Sequence, residues 1–186
     1  LDLINQIMDL RKIESGRLTL NLTEMDVVLY TRQLVESFRA KAENRNISYE
    51  FDSEMESLMM SLDHRKYEKI LFNLISNAIK FTSDGGMITV NLRQIKDNSD
   101  GRKYIEVSVS DTGCGIRPEN ISLVFERFYQ ENGGHVPYES MKGSGIGLVI
   151  AKDYVELHEG SISVSSVLGE GSTFRFCIPV DLKADV

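Results

Sequence analysis

Two cysteines, a shortage of basic residues and the lack of any membrane-length apolar run narrow what this chain can be. Cys114 and Cys177 form no metal-ligand spacing and no disulfide framework, which points to a reducing compartment. Lys and Arg number 21 against 28 Asp and Glu, a formal net charge of -7. That argues against a general nucleic-acid binder, whose phosphate contacts need a basic excess. It leaves room for a nucleotide site, where a few local donors suffice. No stretch approaches the roughly 18–20 apolar residues of a membrane span, and no signal peptide is present. The remaining composition is ordinary for a soluble globular protein, and 186 residues suffice for one full core plus a short appendage. The chain begins at Leu1 rather than methionine, inside an apparent helix, so it is expected to be a piece of a longer protein. The missing span therefore says nothing about the parent.

One stretch organises the chain: Asn73-Leu-Ile-Ser-Asn77-Ala-Ile-Lys80-Phe81. At 100° per residue, Asn73, Asn77 and Lys80 share one narrow stripe, while Ile70, Leu71, Leu74, Ile75, Ala78 and Ile79 fill most of the remaining circumference. A buried helix with two carboxamides and an ammonium along one line needs partners for them. Carboxamide oxygens suit a hard cation such as Mg²⁺, and a lysine one turn on suits phosphate.

Around that helix the periodicity predicts an ordered series of elements. Leu1 to Glu14 reads as a helix ended by Ser15-Gly16. Arg17 to Met25 alternates as an edge strand or arm, and Asp26 caps a helix running to Glu43. Strands follow near Ile47 to Phe51 and Leu58 to Leu62. Asp63 caps the central helix, which Ser83-Asp84-Gly85-Gly86 ends. Met87 to Ile95 and Tyr104 to Asp111 are strands, Glu119 to Phe128 holds short helical turns, and Tyr129 to Lys142 is a loop. Gly145 to His158 is a helix, and Ile162 to Val167 with Thr173 to Val180 close the chain as a strand pair. The result is helices and mostly antiparallel strands in two layers, with too few β-helix-β crossovers for a dinucleotide fold.

Two glycine-rich segments add chemistry. Asp111-Thr-Gly113-Cys-Gly115-Ile116 follows a strand directly; its glycines allow a flat ligand close to backbone, and Asp111 can accept from an exocyclic amine. Gly143-Ser144-Gly145-Ile146-Gly147-Leu148 precedes an apolar helix whose free N–H groups suit a phosphate chain. It lacks the Gly-Lys-Ser/Thr ending of a Walker loop, and no strand leads into it as a Rossmann fingerprint requires.

These segments, with Phe125-Glu-Arg127-Phe128, resemble in order and spacing the N, G1, F and G2 boxes of the catalytic ATP-binding domain of two-component sensor histidine kinases. The resemblance covers about residues 18–180. It implies a two-layer α/β sandwich of the Bergerat type, with a mixed, mostly antiparallel sheet and helices on one face. Residues 1–16 resemble the end of the dimerisation and phosphoacceptor helix, 17–182 the catalytic domain and 183–186 the start of a linker. Asn77 resembles the Mg²⁺ ligand, Asn73 and Lys80 lie by the phosphates, and Phe81 matches a position near the base. Asp111 is similar to the aspartate that reads the adenine amino group, with Gly113, Gly115 and Ile116 keeping the base pocket open. Phe125, Arg127 and Phe128 resemble the lid-organising box, Arg127 as a contact to the terminal phosphate. Gly143, Ser144, Gly145, Ile146, Gly147 and Leu148 match the phosphate-side backbone. Thr173, after Gly169-Glu-Gly171-Ser, matches a threonine that helps hold adenine.

The resemblance implies ATP and Mg²⁺ as ligands, transfer of the γ-phosphoryl to a histidine in a separate domain, and a response-regulator receiver domain downstream. None of His64, His135 and His158 sits in the family's acceptor setting, so the chain is expected not to phosphorylate itself. The parent is expected to pair through a helical stem and the isolated chain to be monomeric. A related reading, the chaperone, mismatch-repair and gyrase ATPases, tends to carry a glutamate base where Asn73 stands. A scaffold that has lost catalysis is disfavoured by four intact boxes. Glu159 stands where the family often has glycine, before Gly160.

Overall fold

The computed structural model describes residues 18–97, 101–127, 129 and 145–182. The expected stem helix, the loop from Gln130 to Lys142 with His135 in it, and Phe128, Gly143 and Ser144 lie outside the described residues, as does the C-terminal tail.

β1 (Thr23–Asp26) leads straight into α1 (Val27–Glu36). Asp26 is extended, and its carboxylate accepts from the N–H groups of Val28 at 3.0 Å and Leu29 at 3.3 Å, a side-chain cap on two otherwise unbonded donors. The single helix expected from Asp26 to Glu43 is in fact two. The Ser37 hydroxyl bonds the Leu34 carbonyl at 2.6 Å and competes with the helical ladder there, so a separate short α2 (Arg39–Glu43) follows.

β2 (Ser48–Ser53) and β3 (Met59–Leu62) do not pair with one another. β3 pairs antiparallel with β1 as a separate ribbon. After α3 (His64–Phe81) come β4 (Met87–Lys96), β5 (Lys103–Asp111), a 3₁₀ turn at Pro118–Leu123, α4 (Gly147–Leu157), β6 (Ser161–Val167) and β7 (Gly171–Pro179). The main sheet runs β2-β4-β5-β7-β6. β2 lies parallel to β4, with α3 on the connection between them, and every other pair is antiparallel.

Alternation decides which face the helices cover. Ile88, Val90, Leu92, Ile105, Val107, Val109, Phe174, Phe176 and Ile178 point to one side and are buried. They meet Tyr67, Ile70, Leu71, Leu74 and Ile75 of α3 and Ile150, Ala151, Tyr154 and Val155 of α4. Each fully buried aliphatic or aromatic side chain contributes about 1.5–3 kcal/mol, so this one layer dominates the fold. The opposite face is polar: Glu106 accepts from Arg93 at 2.7 Å, and Arg175 lies 3.7 Å away.

α4 is tied to α3 by a histidine. His158 is fully buried, with Nδ1 2.6 Å from the Tyr154 carbonyl and Nε2 3.2 Å from the Asp63 N–H. A backbone donor needs a lone pair on Nε2, so the proton sits on Nδ1 and the ring is neutral. Burial holds this imidazole below the ordinary histidine value, outweighing the Tyr154 carbonyl that favours the charged ring. The native protein therefore binds fewer protons than the unfolded chain between the two values. Stability from neutral His158 is present in full above the unfolded value of about 6.5 and is lost as pH falls through the lower folded value. Urea midpoints between pH 7.5 and 5.5 should fall on acidification in the wild type. In His158→Gln the midpoint at pH 7.5 should be lower and this part of the slope absent.

Candidate functional site

The site is built on α3, and α3 is capped before it reaches the site. The Asp63 carboxylate takes the N–H of Lys66 at 3.1 Å, the N–H of Asn21 at 2.9 Å and the Lys66 ammonium at 2.5 Å. Burial raises this carboxyl, but the Lys66 ammonium and the two N–H donors outweigh burial and hold it below the ordinary carboxylate value. From there Ile70, Leu71, Leu74, Ile75, Ala78 and Ile79 are all buried, as their spacing predicts. Asn73, Asn77 and Lys80 form the half-buried line between them.

Asn73 faces the start of α4. A Cβ built on Gly147 would lie 2.7 Å from Asn73 Oδ1, so any larger residue here would have to push the Asn73 carboxamide aside. Ile146, at the N-cap of α4, is buried and offers no side-chain cap. The first N–H groups of α4 have no intrahelical acceptor, and this helix start lies beside Asn73. Gly145, with φ +65°, turns the chain into that start, and Leu148 packs against the core.

The far end of α3 meets the loop after β5. The Cys114 N–H reaches the Phe81 carbonyl at 3.4 Å. A Cβ on Gly113 would come within 2.5 Å of that carbonyl and 2.7 Å of Asp111 Oδ1. Asp111 ends β5 and accepts the Gly113 N–H at 2.8 Å. Burial raises its carboxyl, against the Gly113 and Ser172 N–H donors that lower it. Gly115, at φ +67°, passes directly against the Val167 backbone, and the buried Ile116 donates its N–H to the Ser166 hydroxyl at 2.8 Å.

Lys80 is partly buried, its Nζ 4.7 Å from the centroid of the Phe81 ring, and burial lowers its pKa. No carboxylate pairs with it among the described residues. Phe125 packs edge-on to Phe174 with ring centroids 6.2 Å apart, which anchors its segment to the core. Arg127 is exposed and favours ionisation of Asp153 on α4. Asp153 Oδ2 is buried without a hydrogen-bond partner among the described residues, and burial, with Glu156 nearby, raises that carboxyl.

Thr173 does not join this group. Its Oγ1 lies 2.9 Å from Ser110 Oγ, and Ser110 points to the sheet face opposite Asp111. The register partner of Asp111 is Ser172, which is buried and bonded to Ser166 Oγ at 2.9 Å. Ser166 and Ser172, which the motif match did not single out, therefore lie on the face of Asp111, and Thr173 lies on the outer face. Strand parity carries the signal: Ser172 shares its face with Phe174, Phe176 and Ile178, the apolar set that the helices cover.

No cluster of three or more His, Cys, Asp or Glu able to hold a metal occurs among the described residues. A hard cation at this place would be held by carboxamide oxygen together with oxygens that the ligand itself brings.

Residues 62–182 match the family model described as histidine kinase-, DNA gyrase B- and HSP90-like ATPase. A histidine kinase of Formosa agariphila is 36% identical over 181 residues, 97% of this chain and 13% of that protein. The first curated relatives are matched over only 13–18% of their own length. Full-length ShkA, solved with AMPPNP, is 26% identical with TM-score 0.80, covering 99% of this chain and 36% of that one. Histidine kinase ThkA, solved with the response regulator TrrA, shares the fold at TM-score 0.71 and 23% identity, covering 96% of this chain and 48% of that one. With a family match across most of the described residues and a Bergerat-type sheet under α3 and α4, the chain belongs to the histidine kinase-, DNA gyrase B- and HSP90-like ATPases, as an ATP-binding catalytic domain homologous to those of sensor histidine kinases.

Proposed function

We propose that this domain binds Mg²⁺ and ATP between α3, the start of α4 and the loop after β5, and hands the γ-phosphoryl to a histidine in another domain of its parent. The observation that carries this reading is one helix presenting Asn73 to the glycine-rich start of α4 and its last turn to the loop beside Asp111. The two places are joined by the line Asn73, Asn77, Lys80, which has the length of a nucleotide. About 1.5 Å of rise per residue puts Lys80 roughly 10 Å beyond Asn73.

Each residue then has a role that its surroundings support. Asn77 holds the metal through its carboxamide oxygen, and the metal offsets charge on the phosphates. Asn73 and the first N–H groups of α4 hold phosphate oxygens. Lys80, half-buried and without a carboxylate partner among the described residues, neutralises phosphate charge. Asp111 takes a hydrogen bond from the adenine amino group and repels the 6-oxo group of guanine. Ser172, the register partner of Asp111 and bonded to Ser166 Oγ, lies beside that contact. ShkA, solved with AMPPNP, supports an adenine nucleotide as the ligand. The ThkA–TrrA complex supports a receiver domain as the downstream partner, and with it a place in a two-component phosphorelay. Asn73 cannot take a proton from water as a glutamate would, which favours transfer over steady hydrolysis.

Phosphotransfer from Mg·ATP to a separately supplied stem domain tests the whole reading. Wild type should transfer, and Asn77→Ala should lose at least about a hundredfold in rate, the scale of a lost transition-state charge contact. Transfer that survives in Asn77→Ala removes the metal role. Gly147→Ala pushes its methyl into Asn73 Oδ1 and should weaken Mg·ATP binding by about tenfold or more. Calorimetric titration checks it, and an unchanged affinity would show that Asn73 does not face the phosphates.

A further inference from the structure

The last turn of α3 ends without the glycine cap common at helix ends. Thr82, its C-cap residue, is extended at φ −82° and ψ 134°. Four carbonyls of a helix end lack intrahelical donors and must find others. Here the Ala78 carbonyl takes the Thr82 N–H at 3.0 Å and the Thr82 hydroxyl at 2.6 Å. The Phe81 carbonyl takes the Cys114 N–H. The remaining help comes from a single side chain far away in sequence. Arg45, in the turn between α2 and β2, donates Nη1 to the Ile79 carbonyl and Nη2 to the Thr82 carbonyl at 2.9 Å. Its Nε also meets Asp84 Oδ1 at 2.9 Å. The turn that carries it is held as well: Asn46 has φ +53°, and the Arg45 carbonyl accepts the Gly85 N–H at 3.3 Å.

We propose that Arg45 is a positioning residue for the nucleotide site, fixing the last turn of α3 so that Lys80 and the Phe81 carbonyl meet the loop that carries Asp111. Three features make this more than local stability. The guanidinium closes carbonyls on either side of Lys80 and Phe81, so its loss frees the turn that bears them. The Phe81 carbonyl is the contact that sets Gly113 and Cys114 in place, so a frayed turn would loosen the base pocket from the helix side. A cation at a helix C-terminus also opposes the macrodipole there. The ion pair with Asp84 is not the active part. Asp84 is 68% exposed, and exposed pairs contribute little. Arginine is needed rather than lysine because one planar fork reaches two carbonyls at once.

The proposal rests on the nucleotide reading of the site, and two measurements on the full chain separate them. The first is Mg·ATP titration of wild type, Arg45→Ala, Arg45→Lys and Asp84→Ala. Arg45→Ala should bind about fivefold more weakly or worse, Arg45→Lys should fall between it and wild type, and Asp84→Ala should match wild type. Arg102→Ala removes a guanidinium from Glu159 and Asp181, away from the site, and should keep its affinity even where its melting temperature falls as far. The second is amide exchange of residues 80–84 without nucleotide, which should quicken in Arg45→Ala and not in Arg102→Ala. Wild-type affinity with unchanged exchange in Arg45→Ala overturns the proposal alone. Equal weakening in Arg102→Ala and Arg45→Ala reduces it to general stability and overturns it too. A wild type that does not bind Mg·ATP, with exchange behaving as stated, overturns the nucleotide reading and the role of Arg45 in it together.

Discussion

A helix with apolar side chains around most of its circumference has little to stop it rotating except its few polar groups, and in α3 that constraint positions everything else. Turning α3 by one residue would carry Asn73 and Asn77 toward the sheet and bring aliphatics to the polar line. Each carboxamide buried without a partner would cost about 1–3 kcal/mol. The polar line faces the start of α4 and the loop after β5, where backbone comes close to α3. Gly147 and Gly113 stand at those close approaches: a methyl at Gly113 would collide with the Phe81 carbonyl, and one at Gly147 would displace the Asn73 carboxamide. Rotation is thus set by polarity, translation by Asp63 with its donors at one end, and the distance to α4 by His158.

Burial disfavours two of the site's charges, and only Asp111 has backbone donors among the described residues that offset part of that cost. Burial lowers the Lys80 pKa and raises that of Asp111. These are opposite charges, each made less comfortable by the same loss of water. Elsewhere the chain pairs such groups directly: Asp63 with Lys66, and Glu106 with Arg93. Leaving Lys80 and Asp111 apart is poor for the stability of the empty fold and good for a ligand with anionic charge at one end and an amine donor at the other. The selection of marginal local stability for function is a familiar trade.

Most of the architecture was readable because it depends on periodicity. The α3 stripe, the caps at Asp26 and Asp63, and the strand pairs all follow from spacing and short polar residues, and the structure keeps them with small shifts of boundary. What escaped depended on relations between distant segments. The break at Ser37 comes from a side-chain bond that no propensity distinguishes from an exposed serine. The separation of β1 and β3 from the main sheet is a choice of partner, which alternation does not specify. The motifs placed Asp111 and Gly113 where the structure brings them, beside the end of α3, while the face that Thr173 occupies is set by strand parity, which a motif position does not give. Asp111 lies on the helix-covered face, and the residue across from it must share that face, which makes it Ser172. Arg45 was invisible, because nothing local to a turn arginine says that it closes a helix more than thirty residues on.

The two described histidines fit the proposal that the phosphoryl acceptor belongs to another domain. Of the two among the described residues, His158 has both ring nitrogens engaged in backbone hydrogen bonds inside the core, so neither can attack phosphorus. His64 opens α3, thirteen residues before Asn77, and the helical rise puts it about 20 Å away along the axis. A histidine that far away cannot reach a phosphoryl group held by Asn77 and Asn73 without unwinding the helix that holds both. The same rigidity that aligns the polar line thus keeps this acceptor off it. On the proposed reading the nucleophile comes from another domain of the parent, over the start of α4, where Gly147 presents no side chain of its own.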